Sequence, residues 1–117
     1  MEENKLIEAT KNGSLEMVGH LVSEGEDIEA ISNDSGLNSL MIASENGYLQ
    51  IVMFLVENGA NVNGRANCAD LTSLMLASKE GHYDIVKFLL DNEANVNDKV
   101  SMVEENIFLS PLILGES

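Results

Sequence analysis

Apolar residues return along this chain in short blocks with helical spacing, separated by polar turns. The stretch SLMIASENGYLQIVMFLVENGANVN shows the pattern most fully. Leu40 and Ala43 lie three apart, and Val52, Leu55 and Val56 follow the three-then-four spacing that lines up side chains on one helix face. The spacing predicts a first helix from about Asn38 to Asn46 and a second from about Leu49 to Asn58, each too short to stand alone. Gly47 separates them where a left-handed residue closes the first helix, and Gly13 and Gly81 are expected to do the same in the flanking stretches. Gly25 and Gly59 are expected to end the second helices.

The blocks repeat at an offset of 34 residues. Leu6, Leu40 and Leu74 fall in register, as do Ala9, Ala43 and Ala77, Gly13, Gly47 and Gly81, Val18, Val52 and Val86, and Leu21, Leu55 and Leu89; Ile28, Val62 and Val96 close the series. Such a period means a stack of helix pairs that share a continuous core with their neighbours, an all-α solenoid. The units run over about residues 4–33, 34–67 and 68–100. The repeated alanines let first helices approach closely, so Ala43→Leu should overpack that layer at a cost of about 1–3 kcal/mol. Beyond Val100 the pattern fails, and residues 101–117 read as a truncated fourth repeat or a short C-terminal cap. Ile107, Phe108, Leu109, Leu112, Ile113 and Leu114 suit docking against the last unit, and a binding edge for another copy is the alternative.

These units resemble ankyrin repeats, whose pattern is G-x-T-P-L-H-x-A, then G-H-x-x-I-V-x-x-L-L, then G-A-x-V-N. The third unit supplies Thr72, Leu74, Ala77, Gly81, His82, Ile85, Val86, Leu89, Leu90, Ala94, Val96 and Asn97. The second supplies Gly36, Leu40, Ala43, Gly47, Ile51, Val52, Leu55, Gly59, Ala60, Val62 and Asn63, and the first keeps Leu6, Ala9, Gly13, Val18, Leu21, Gly25 and Ile28. The resemblance implies an ankyrin solenoid of three repeats, with helix-turn-helix units joined by turn or hairpin loops, plus the short C-terminal cap. Departures stand out. The proline and histidine of T-P-L-H are Ser39 and Met41 in the second unit and Ser73 and Met75 in the third, which removes the usual histidine hydrogen bond. Glu93 stands where a glycine is expected, so Asn92 is expected to take the left-handed position or the turn to change. Gly19 interrupts the first outer helix at a cost of about 1 kcal/mol relative to alanine.

Twenty acidic against six basic side chains give a formal charge of −14, which disfavours nucleic-acid phosphates and anionic membrane surfaces. The same field favours a basic partner, although scattered acids also serve simply as a solvated surface. No run is long and apolar enough to span a bilayer, and the N-terminus is acidic where a secretory signal is basic, so an intracellular location, cytoplasmic or nuclear, is expected. Cys68 is the single cysteine, which excludes an intrachain disulfide and a cysteine-based metal site. His20, in register with Phe54 and Phe88, and His82, at the family's Gly-His position, make poor general bases. With no nucleophile–base pair, phosphate loop or metal-spaced set, no catalysis, cofactor or metal is expected. Met17, Met41 and Met75 read as core.

The resemblance implies a protein partner bound through turn tips and the exposed face of the inner helices. In the second unit that surface comprises Ser32, Asp34, Ser35, Leu37, Glu45 and Asn46; in the third, Ala66, Cys68, Ala69, Leu71, Lys79 and Glu80. Leu37 and Leu71 are the sharpest candidates if they are exposed, with packing of each leucine against its neighbouring tip as the opposing reading. A monomer acting as a non-catalytic regulator or inhibitor is the leading expectation. Two alternatives come from other classes. Asn63 and Asn97 close A-N-V-N stretches that resemble the site used by an asparagine hydroxylase, while turn-forming asparagines explain them structurally. An acidic decoy for a nucleic-acid-binding protein is the other.

Overall fold

The computed structural model describes residues 3–66 and 71–92. Six helices occupy them, in three antiparallel pairs: α1 (Lys5–Lys11) and α2 (Leu15–Ser23), α3 (Ser39–Asn46) and α4 (Leu49–Glu57), α5 (Ser73–Glu80) and α6 (Tyr83–Asp91). The odd-numbered helices form an inner layer and the even-numbered ones an outer layer. Each begins within a residue of where the periodicity puts it.

Every inner helix starts on the same register position with a side-chain cap. Asn4 Oδ1 accepts from the Leu6 and Ile7 N–H groups at 2.8 and 3.1 Å, Asn38 Oδ1 from Met41 N–H at 2.9 Å, and Thr72 Oγ1 from Met75 N–H at 3.3 Å. Each satisfies an N–H that the helix itself leaves unpaired. The following residue in the second unit, Ser39, is fully buried with no partner for its hydroxyl, at the position where the family pattern carries proline.

At the helix ends, Gly47 sits at φ +81° and Gly81 at φ +79°, left-handed as expected. Gly47 has a second constraint, because a Cβ there would lie 2.8 Å from the ring of His82. That ring packs on Gly47 and its Nε2 lies 3.0 Å from the Glu45 carbonyl, so the N–H donates to the preceding unit. One unit earlier Tyr48 does the same job. Its ring covers Gly13, and its hydroxyl donates to the Lys11 carbonyl at 3.4 Å. Of the two expectations for the turn after α6, a left-handed Asn92 is not met: Asn92 stays at φ −106°, where its side-chain amide donates to the Phe88 carbonyl at 2.8 Å, and an altered turn at Glu93 lies outside the described residues.

Two apolar layers hold the stack. The larger lies between inner and outer helices and contains the repeated residues Leu6, Leu40 and Leu74, Val18, Val52 and Val86, and Leu21, Leu55 and Leu89, with Ala9, Ala43 and Ala77 at the close approaches. A second layer lies on the other side of the inner helices, where Ile7, Leu37, Met41, Ile42, Ala66 and Leu76 meet, with Leu71 against them. Met41 and Met75 are buried as expected, but Met17 is 47% exposed. It shares its register position with the buried Ile51 and Ile85; each of those has a preceding unit to pack on, and no described unit lies beyond Met17. His20 is likewise exposed rather than in the core, with Nε2 3.5 Å from Glu24. Among the described residues no helix is long and apolar enough to cross a membrane.

Candidate functional site

The first tip between units is a narrow turn that folds back onto the inner helices. In the first, Ser32 N–H donates to the Leu37 carbonyl at 2.8 Å, Gly36 at φ +72° turns the chain, and Ile31 pairs with Asn38 in an isolated antiparallel bridge. In the second, Ala66 N–H donates to the Leu71 carbonyl at the same 2.8 Å. The same backbone hydrogen bond thus recurs at equivalent positions one repeat apart.

Folding back turns Leu37 inward. It is only 9% exposed, seated among Ile7, Met41 and the next tip's Ala66, so the reading in which it stands out as an exposed anchor is corrected in favour of tip-to-tip packing. Ala66 is buried in the same layer and Leu71 is half-buried against it. The exposed apolar side chain of this tip is instead Ile31, at 43%. Its only sequence signal was an isolated isoleucine in a polar stretch.

Ser32 is buried too, and for a polar reason. Its hydroxyl lies between two carboxylates, hydrogen bonded to Asp34 and 3.3 Å from Glu3 Oε1, and with one proton it donates to one of them at a time. Glu3 also accepts from the Asn33 N–H at 3.0 Å and from Lys11 Nζ at 3.1 Å, and Lys11 reaches Asp34 at 3.4 Å. This polar clamp ties the first helix to the first tip. The Asn33 N–H, followed by Lys11 and Ser32, holds the Glu3 carboxyl below its ordinary pKa. The Ser32 hydroxyl, then Lys11, does so for Asp34, and the hydrogen bond to Glu3, with Asp34 adding to it, raises Lys11.

The remaining candidates lie along the C-terminal ends of the inner helices and the rims of the tips. Asp34, Asn46, Lys79 and Glu80 are exposed, and Ser35 and Glu45 are half-buried. Ser35 Oγ accepts from Leu37 N–H at 3.3 Å. Asn63 is exposed in the loop after α4, where its N–H donates to Asn61 Oδ1 at 3.0 Å. Cys68, Ala69 and Asn97, and the cap expected over 101–117, lie outside the described residues. Among the described residues no three of histidine, cysteine, aspartate and glutamate come together as a metal-ligand group. The arrangement thus offers a row of mixed polar and charged groups on the ends of the inner helices.

The family model for ankyrin repeats, in three copies, matches residues 6–100. No curated protein matches the chain.

Proposed function

Because the chain belongs to the ankyrin repeat family, whose repeats are generally protein–protein interaction modules, we propose that it is a non-catalytic binding module acting as a monomeric regulator or inhibitor inside the cell. Its contact surface on this reading is formed by the ends of the inner helices and the rims of the tips. The observation that carries the reading is the repeated tip hydrogen bond, Ser32 N–H to Leu37 and Ala66 N–H to Leu71. It holds the first tip, which carries Asp34, while the ends of α3 and α5 carry Asn46, Lys79 and Glu80, so on this reading a partner meets an ordered surface and little conformational entropy is lost on this side. The mixed charges of that row favour a partner with a complementary polar surface rather than a strongly cationic one.

The test uses residues whose replacement leaves both apolar layers intact. Affinity capture with Asn46→Arg/Glu80→Arg should lose a partner that the unaltered chain retains, at unchanged helical content. Retention of the same proteins by both would contradict the assignment of this surface.

A further inference from the structure

The first unit differs from the second and third on its outer side. Gly19 of α2 shares its register position with Met53 of α4 and Lys87 of α6, so one side chain is missing between α2 and α4. The result is an open groove of ≈ 480 Å³. Leu15, 37% exposed, forms one wall, and the half-buried Met53 and Phe54 form the other. The Phe54 ring leans over the gap: a Cβ on Gly19 would meet it at 3.8 Å, ordinary contact. The site is a shallow depression open to solvent, and its apolar lining suits one or two aliphatic side chains laid across it.

Carboxylates dominate the charges around it, and the one basic side chain in the lining, His20, lies 3.5 Å from Glu24. Glu16 and Glu57 stand on its rim, and Glu24 caps α2. Neither α2 nor α4 carries a lysine or arginine; the six basic residues are Lys5, Lys11, Arg65, Lys79, Lys87 and Lys99. The inner surface mixes both signs, whereas this outer face of the first two units is anionic with an apolar floor.

We propose that the α2/α4 groove docks a basic amphipathic polypeptide segment, with an aliphatic side chain seated over Gly19 and lysines or arginines facing Glu16 and Glu57. Charge selects this occupant over the two nearest rivals. A second copy of the chain brings its own −14, and residues 101–117 hold three glutamates and no basic residue. Both repel the rim.

The experiment titrates the full chain with three designed helical peptides, followed by amide chemical shifts. One carries a leucine stripe at i, i+4 and i+7 with lysines opposite; the second replaces the leucines by serine at equal charge; the third replaces the lysines by glutamate. The first should bind at least about tenfold tighter than either control and shift resonances of α2 and α4. Gly19→Met, which copies the residue the second unit already tolerates, should weaken it by a similar factor, as should Glu16→Lys/Glu57→Lys; Asn46→Arg/Glu80→Arg should leave it unchanged. Equal binding of the lysine–serine peptide would reduce the effect to net charge and overturn the groove. Unaltered binding by Gly19→Met, shifts confined to the inner face, or cross-links showing the groove filled by residues 101–117 would overturn it as well.

Discussion

The two junctions between successive units use the same backbone scheme and different side-chain physics. At the second junction, α3 meets α5 through Met41, Ile42, Ala66 and Leu76, a continuous apolar layer. At the first, the position shared by Ile42 and Leu76 is the exposed Glu8, and the tip position of Ala66 is Ser32. Ile7, Leu37 and Met41 still pack there, and polar bonds add to them: the Glu3–Lys11–Ser32–Asp34 clamp, and Glu29 accepting from Asn61 N–H at 2.8 Å. The comparison teaches that a repeat fold fixes where neighbours meet and runs its apolar layers through both junctions, while one junction is free to add ionic bonds to them. The second should be insensitive to salt and the first should respond to it, because exposed charge pairs are screened and buried methyl groups are not.

The sharpest way to break the contrast is to empty the apolar junction. Leu76→Ala removes a side chain that is 2% exposed, and should cost about 2–5 kcal/mol in urea unfolding at any salt concentration. Next comes the stitch between second and third units. Gly47→Ala places a side chain in a left-handed conformation and against His82; it should cost about 1–3 kcal/mol and release the His82 ring from the Glu45 carbonyl, read from the histidine ring resonances.

Two substitutions should run the other way. Gly19→Ala adds helix propensity, and its Cβ meets Phe54 at ordinary contact distance, so a gain of about 0.5–1 kcal/mol in urea unfolding is expected. Ser39→Pro should add about 0.4–1 kcal/mol in the same measurement. Ser39 is the first helical residue after an extended Asn38, and its buried hydroxyl has no partner to lose.

The helices, the left-handed glycines that close the inner ones and the inter-helix core were legible in the sequence because they depend on spacing, which repeats. Leu55 and Leu89 are core for the same local reason, and both are fully buried. What the register could not carry was whatever depends on a neighbour. Met17 and His20 hold core positions in the repeat and are exposed in the structure, since burial there requires a unit on the far side. Leu37 reads as a tip residue and is buried, since the tip folds back onto the next one. The polar clamp was out of reach altogether. Glu3, Lys11 and Ser32 lie far apart along the chain, and no spacing rule connects them.

The smallest effect is also the most diagnostic of that clamp. Glu3 and Asp34 have folded pKa values below their ordinary ones, so their contribution is complete above about pH 5 and is lost as the pH falls through the depressed values. Lys11 is raised, so its share is present below its ordinary value and is lost as the pH rises through the raised one. Acid unfolding followed separately at the two junctions should therefore begin at α1 and the first tip.

The most direct measurement is native-state amide hydrogen exchange, resolved by residue, on the unaltered chain and on Lys11→Met at low and high salt. If the junctions differ as described, Lys11→Met and high salt each lower protection in α1 and residues 31–38, their effects do not add, and α3–α6 keep their protection. A uniform loss across all three units, or unchanged protection in α1 and the first tip, would contradict a first junction that depends on its polar clamp.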